Sequence, residues 1–279
     1  MDGAHSTTAP ALDDLLRIVR GRSICVLTGA GISTDSGIPD YRGPDGSLRK
    51  RLPIQYHEFL RSREHRRRYW ARSCLGWSFL EERTPNVGHL AIADLQDRGV
   101  ITGLITQNVD GLHQAAGSRD VTELHGGLSR VRCMQCGDIT SRSEVQRRLL
   151  ELNPGWLEHT VEYAPDGDAE LPPEATDHFA VPVCDRCEGT LKPDVVFFGE
   201  SVPAERVAES FRRVADAEIL LVLGSSLTVY SGFRFADYAV KHGKPLVIIN
   251  LGTTRADSIA SIRINAPIAS VLPVLRREL

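Results

Sequence analysis

Ile24-Cys25-Val26-Leu27-Thr28-Gly29-Ala30-Gly31-Ile32-Ser33 is an unbroken apolar run that stops at a glycine-rich turn. A strand that is apolar at successive positions has no wet face, so it belongs inside a sheet covered on both sides. Similar runs recur at 103–106, 121–124, 195–198, 219–223 and 246–250, and all six read as buried strands of one parallel sheet. Between them, 111–116, 203–215, 232–242 and 268–277 carry helical spacing. That alternation predicts an α/β fold, a doubly wound parallel sheet with right-handed crossovers.

Two stretches break the alternation. One is an Arg-rich, aromatic helical segment at 44–88, and the other is an insert at 126–191 that contains four of the six cysteines. They are expected to form a smaller inserted lobe, a helical module (44–88) with a zinc-binding module (126–191), beside a main domain made of 1–43, 89–125 and 192–279. Within the insert, 163–182 is rich in Pro, Asp and Glu without periodicity and reads as a long surface loop. A chain of 279 residues, 42% hydrophobic, supports one large core and a satellite.

Composition excludes several function classes. A net charge of -3 and a pI near 6.3 give no global attraction to nucleic acid or anionic lipid, and the basic run at 61–72 reads as a solvated helix face. No apolar run is long enough to span a bilayer, and Asp2, Asp13 and Asp14 stand where a signal peptide would be apolar. A soluble, cytoplasmic protein is expected, with no nucleic-acid or membrane partner; a monomer is compatible with the sequence. Cys25 falls in a strand and Cys74 in a helical stretch, so both are expected to be buried thiols in a reducing compartment.

The other cysteines form two Cys-x-x-Cys pairs, Cys133/Cys136 and Cys184/Cys187. Each pair closes a tight turn offering two thiolates, and two such turns suit one tetrahedral zinc. With four sulfurs no position remains for water, so the metal is structural. Just ahead of the first pair stands an isolated histidine in Leu124-His125-Gly126-Gly127.

Polar groups gather at the strand ends, where open α/β sheets bind ligands. The turn after the first strand brings backbone N–H groups towards a pyrophosphate, although Thr34 stands where a dinucleotide fingerprint has its third glycine. The polar loop at 35–42, with one tyrosine and one arginine, is suited to folding over a phosphate-bearing ligand. Gln107-Asn108-Val109-Asp110, Gly224-Ser225-Ser226 and Asn250-Leu251-Gly252 follow three further strands. Any one of these is compatible with turn chemistry alone; their convergence on one crevice is what points to a ligand.

Taken in order, G-A-G-I-S with G-I-P-D-Y-R, T-Q-N-V-D-G-L-H, L-H-G-G, the two cysteine pairs, K-P-D-V-V-F-F-G-E and G-S-S-L resemble the sirtuins over nearly the whole chain. The Arg68-Tyr69-Trp70-Ala71-Arg72 segment and the long acidic insert are most similar to the class II branch, without the Arg-rich leader of a mitochondrial member. The resemblance implies a Rossmann-like main domain and an NAD-consuming protein-lysine deacylase, with NAD as co-substrate bound between the domain and the zinc lobe. In the family the acyl oxygen attacks the nicotinamide ribose and nicotinamide leaves. A histidine then activates a ribose hydroxyl, and O-acyl-ADP-ribose and free lysine result.

His125 occupies the histidine's position, and imidazole chemistry suits the task near neutral pH. By the same transfer Asn108 and Asp110 line the nicotinamide and ribose region, Asp110 accepting from the carboxamide and opposing positive charge on the ribose carbon. Gln107 and Arg42 resemble ribose and phosphate contacts, and Ser225, Ser226 and Asn250 resemble those to the adenosine half. Gly29, Ala30, Gly31, Ser33, Ile38, Pro39, Asp40 and Tyr41 are implied NAD contacts on the first turn and lid, as are Gly224, Leu251, Gly252 and Ile268 further along. Tyr41 stands where the family commonly has phenylalanine.

Val195, Phe197, Phe198, Gly199 and Glu200 resemble the segment that pairs with an extended acyl-lysine peptide, and 224–229, ending at Val229, supplies the opposite edge. Tyr69 and Arg72, three apart on a predicted helix, resemble the carboxylate-reading pair of desuccinylating members. They imply acyl chains ending in carboxylate, such as succinyl or glutaryl, beside the alternative of a solvated cationic helix. A protein mono-ADP-ribosyltransferase using the same NAD site is the alternative activity.

Overall fold

A computed structural model describes residues 8–40, 54–158, 169 and 171–279. Its strands are β1 (Ile24–Thr28), β2 (Ile101–Thr106), β3 (Val121–Glu123), β4 (Gly126–Cys133), β5 (Ile139–Ser141), β6 (Leu191–Val195), β7 (Ile219–Leu223), β8 (Leu246–Ile249) and β9 (Ile262–Ile264). Its helices are α1 (Thr8–Val19), α2 (Tyr56–Arg61), α3 (Arg63–Glu81), α4 (Val87–Asp97), α5 (Leu112–Ala115), α6 (Arg142–Leu152), α7 (Ala204–Asp216), α8 (Tyr230–Lys241) and α9 (Ile268–Glu278). Among the described residues no helix is long and apolar enough to cross a membrane.

The main sheet has the order β3-β2-β1-β7-β8-β9, and each neighbouring pair is parallel. β1 lies centrally and is buried throughout, as its apolar sequence requires. Successive side chains go to opposite faces. Ile24, Val26, Leu221 and Val247 pack with Leu15, Ile92 and Leu272 from α1, α4 and α9. Cys25, Leu27, Leu220 and Ile248 pack on the other face with Val214 and Phe235 from α7 and α8. This is the expected doubly wound α/β fold, and the order places the divergence of the chain between β1 and β7.

One expected strand of that sheet is elsewhere. The run at 195–198 is not in the parallel sheet: β6 ends at Val195 and pairs antiparallel with β4, which pairs with β5 to complete a three-stranded sheet. The boundary expected at 192 therefore falls inside β6. Val195 and Phe197 are buried in the small lobe's own core, so the run is apolar for a different reason than β1 is. The sequence reading missed β9, which has three residues, as well as α4 and α6.

The small lobe is tied together by a buried cation. Arg142, at the start of α6, donates through Nη2 to the Ser73 carbonyl (3.0 Å) and through Nη1 to Gln146 Oε1 (2.8 Å). Gln146 Nε2 donates in turn to the Cys74 carbonyl at 2.8 Å. The guanidinium centre stands 5.1 Å from the Trp77 ring centroid. Burial lowers the Arg142 pKa to about 10, which leaves it charged at neutral pH. α6 of the cysteine insert is thereby fastened to α3 of the helical segment.

The stretch read as a long surface loop is partly anchored. Phe179 is buried with its ring 4.6 Å from that of Trp156, and Asn153 clasps Ala180 by accepting from its N–H (2.7 Å) and donating to its carbonyl (2.9 Å). One aromatic anchor and one amide clasp leave no periodic signal. Cys25 and Cys74 are buried as expected, and burial pushes their thiols up to about 12 and about 11, so neither is a thiolate at neutral pH.

Candidate active site

The ends of β1 and β7 approach until their backbones touch. Gly29 N–H donates to the Leu223 carbonyl (3.0 Å) and Gly31 N–H to the Gly224 carbonyl (2.9 Å). A Cβ on Gly29 would lie 2.7 Å from Ser225 Cβ, and one on Gly224, whose φ is +60, would lie 2.5 Å from Ile32 N. The glycines thus weld two strand ends. Two backbone amides of this turn are thereby committed to the end of β7 and the residue after it.

The next layer is a network of side chains. Asn108 Nδ2 donates to the Gly29 carbonyl and to Ser33 Oγ, both at 3.1 Å. Ser33 has one proton and gives it to Asp110 Oδ2 at 2.7 Å, while Leu112 N–H donates to Asp110 Oδ1 at 2.9 Å. Burial raises the Asp110 pKa, and these two donors act in the opposite direction without cancelling it. Asn108 and Asp110, expected from sequence to act together, are therefore joined through Ser33.

Two histidines behind this network were not identified from the sequence. His113 Nε2 lies 3.0 Å from Thr28 Oγ1, which donates to Thr106 Oγ1 at 2.9 Å, tying β1 to β2. His89 caps the start of α4 by accepting from Asn86 N–H (3.3 Å) and stands 3.5 Å from Ser33 Oγ. The rings meet edge to face at 4.8 Å. Burial lowers His89 to about 4; burial, and then its neighbour His89, lower His113 to about 3. Both are neutral at physiological pH. The T-Q-N-V-D-G-L-H motif contains His113, but nothing in it marks the residue as a buried strut.

His125 sits where the chain leaves β3 for β4. Its Nδ1 lies 2.9 Å from the Gln107 carbonyl and its Nε2 lies 2.9 Å from Ser231 Oγ. A carbonyl only accepts, so Nδ1 carries the ring proton and Nε2 is the basic nitrogen. Burial is the largest influence on the ring and lowers its pKa; the Gln107 carbonyl opposes this, and the Arg206 and Arg234 charges add to the lowering. Gln107 also donates from Nε2 to Ser225 Oγ at 2.9 Å. His125, Gln107 and Ser225 are thus one connected set, adjacent through Asn108 to Ser33 and Asp110.

The remaining candidates are more scattered. Asn250 is buried after β8, its Nδ2 donating to the Leu251 (2.8 Å) and Gly252 (3.2 Å) carbonyls. Leu251 is exposed, Ser226 pairs with Thr228 (3.1 Å), and Ile268 is buried close to Gly224. Ile38 is buried with the small lobe's core, followed by half-buried Pro39 and Asp40. Tyr41 and Arg42 lie outside the described residues.

On the substrate side, Val196 N–H donates to the His125 carbonyl (2.8 Å), which brings the 195–200 segment to the histidine. Phe198 already pairs with Gln55 and accepts from Tyr56 N–H (2.8 Å), so part of the edge expected to receive a peptide is occupied. Glu200 accepts from Phe197 N–H (2.8 Å) and pairs with buried Lys192 (2.9 Å), and Gly199 and Val229 are exposed. Tyr69 is buried with its ring 5.2 Å from that of Phe197, and Arg72, one turn on, donates from Nε to the Ala169 carbonyl at 2.7 Å.

The four cysteine sulfurs of the paired turns, Cys133, Cys136, Cys184 and Cys187, lie within 4.8 Å of one another. Each pair is folded as a knuckle: Gly137 N–H donates to the Cys133 carbonyl (3.0 Å) and Glu188 N–H to the Cys184 carbonyl (2.8 Å). Four convergent thiols fit one tetrahedral zinc with no open position, a structural site. β4 delivers Cys133 at its end, so the metal site closes the small sheet.

The Sir2 family model matches residues 29–231. The chain is 48% identical over 271 residues to NAD-dependent protein deacetylase 1 of Mycobacterium avium (strain 104), with 95% of each covered. It is 50% identical over 271 residues to NAD-dependent protein deacetylase 1 of Streptomyces coelicolor, with 97% of this chain and 89% of that one covered. A Sir2 histidine-to-alanine variant, solved with deacetylated p53 peptide and 3'-O-acetyl-ADP-ribose, superposes with a TM-score of 0.75 at 31% identity over 96% of this chain and 98% of that one. The chain belongs to the Sir2 family, the sirtuins.

Proposed function

We propose that this chain is an NAD-dependent protein-lysine deacylase that releases nicotinamide and O-acyl-ADP-ribose, with His125 as its general base. The observation that carries the assignment of the base is the His125 ring itself: half-buried, held with its proton on Nδ1 by the Gln107 carbonyl, and kept below its ordinary pKa. Such a nitrogen is neutral at working pH and ready to take a hydroxyl proton. NAD is the co-substrate, supplying the ribose carbon that the acyl oxygen attacks and the hydroxyl that Nε2 deprotonates. Asp110, which accepts from Ser33 Oγ and Leu112 N–H, is assigned the carboxamide contact and the stabilisation of positive charge on the sugar. The zinc takes no part in chemistry; it holds the small sheet.

Acyl-lysine peptides are the partners. Carboxylate-ended acyl groups are the preferred class in this proposal, read by Tyr69 and Arg72. Supporting it, Tyr69 stands against Phe197 of the substrate segment, and Arg72 is fixed by its Nε bond one helical turn away.

The purified chain incubated with NAD and a mixed acyl-lysine peptide library, with nicotinamide and deacylated peptide followed by mass spectrometry, tests all of this. The parent is expected to turn over, and His125→Ala to lose about 10²–10⁴-fold while melting normally. Arg72→Ala is expected to lower succinyl and glutaryl rates relative to acetyl; an unchanged ratio removes the acyl assignment. Transfer of labelled ADP-ribose to protein with no acyl peptide present would favour the transferase activity instead.

A further inference from the structure

Ser231 Oγ lies 2.9 Å from Nε2 of His125, the nitrogen assigned to take the ribose proton. Since Nδ1 of His125 carries the proton, its Nε2 has only a lone pair to offer, and the contact at 2.9 Å is therefore donated by Ser231 Oγ. The one nitrogen able to act as base is engaged by a side chain of the protein itself.

The contact is built rather than incidental. Ser231 lies in the first turn of α8, and Gly232 follows it; a Cβ there would lie 2.4 Å from Gln107 Oε1, so glycine lets the turn settle onto Gln107. The same Gln107 accepts from His125 through its backbone carbonyl and donates from its side chain to Ser225 Oγ. Ser225 Oγ also accepts from Leu227 N–H at 3.2 Å, and Leu227 is buried with φ +53, a left-handed conformation rarely adopted by a γ-branched residue. The loop into α8 is thus held in a costly shape that delivers Ser231 to Nε2.

Resting on the deacylase reading, we propose that Ser231 is a positioning residue for His125, donating to Nε2 before the reaction and accepting from it afterwards. Rotation about the serine Cα–Cβ bond withdraws Oγ from the lone pair when the ribose hydroxyl arrives. The ribose O–H bond then breaks, an Nε2–H bond forms, the ribose oxygen attacks the bound acyl carbon, and as the sugar moves off Nε2 the Ser231 oxygen returns to accept from the new N–H. Ser231 keeps its own proton throughout. A hydroxyl can donate to the neutral ring and accept from the protonated one, so it holds the imidazole plane in both charge states.

Nicotinamide departure comes before the histidine acts, which gives the proposal a readout that a purely structural role would not move. In the full chain with NAD and an acyl-lysine peptide, deacylation is measured beside exchange of labelled nicotinamide into NAD. Ser231→Ala is expected to slow deacylation about tenfold, the loss of one hydrogen bond's worth of orientation, with exchange at or above the parent rate; Ser231→Thr should recover most of the loss. Deacylation within about twofold of the parent, a parallel fall in both rates, or no recovery by threonine overturns the proposal. His125→Ala separates the two levels. If it splits exchange from deacylation while Ser231→Ala does not, the base stands and the role of Ser231 falls; if it shows no split, the base assignment itself falls.

Discussion

At the scale of single residues the site is governed by where protons are held. Ser33 gives its only proton to Asp110, Gln107 fixes the tautomer of His125, and neither arrangement needs a metal or a distant charge. The pH dependence follows from the sign of one shift. Burial, assisted by Arg206 and Arg234, lowers His125 below its ordinary 6.5, so the base is protonated, and activity lost, only as pH falls through that lowered value. The acid limb of the kcat/KM profile is therefore expected to be centred below pH 6.5. An acid limb centred at about 7 or higher, with no other group shown responsible, would contradict the assigned base.

At the scale of elements, the crossing of the β1 and β7 ends decides whether a site exists. Gly224→Ala sets a methyl 2.5 Å from Ile32 N and 2.6 Å from Gly31 C at φ +60, the two atoms of one peptide link, which cannot turn aside, with Ile268 Cδ1 also at 2.8 Å. A loss of about 2–3 kcal/mol is expected from overpacking and strain together. Gly243 has φ +69 but open space around its Cβ direction, so Gly243→Ala should cost only about 1 kcal/mol. Chemical denaturation of the two variants checks this, and equal losses would show that conformation alone, not the close approach, makes Gly224 necessary.

This crossing also shows what could be read beforehand. β1 and β7 were legible because a strand buried on both faces is apolar at every position, and the cysteine knuckles because their spacing is chemistry rather than packing. His125, Asn108 and Asp110 were legible as family positions, while the bonds that join them were not. The run at 195–198 was misplaced since an apolar tetrapeptide looks the same in a sheet core as in the satellite core that takes Val195 and Phe197. β9 escaped because three residues, Ile-Arg-Ile, are too few to show a period. His89 and His113 escaped since their role is to be neutral and enclosed, which no local pattern announces.

For the whole molecule those two histidines set a pH limit on stability. In the unfolded chain each takes a proton near 6.5, whereas in the folded protein each refuses it until about 4 and about 3. Their contribution to stability is therefore complete above 6.5 and is lost as pH falls from there towards 4, where the unfolded state binds protons that the native state does not. A fall on the order of a few kcal/mol over that window is expected. Urea midpoints measured at successive pH values test it, and a His113→Gln variant, with one such group removed, should show a visibly shallower decline; an unchanged slope would mean that other groups set the acid sensitivity.

His125 closes one sheet and opens the next: β3 ends two residues before it and β4 starts one residue after. A rigid tilt of the small lobe about this joint would sweep the far cysteine knuckles through the widest arc and leave the imidazole almost where it was. Any such rotation would disturb the reaction centre least, because the joint between the two sheets and the assigned base are the same residue.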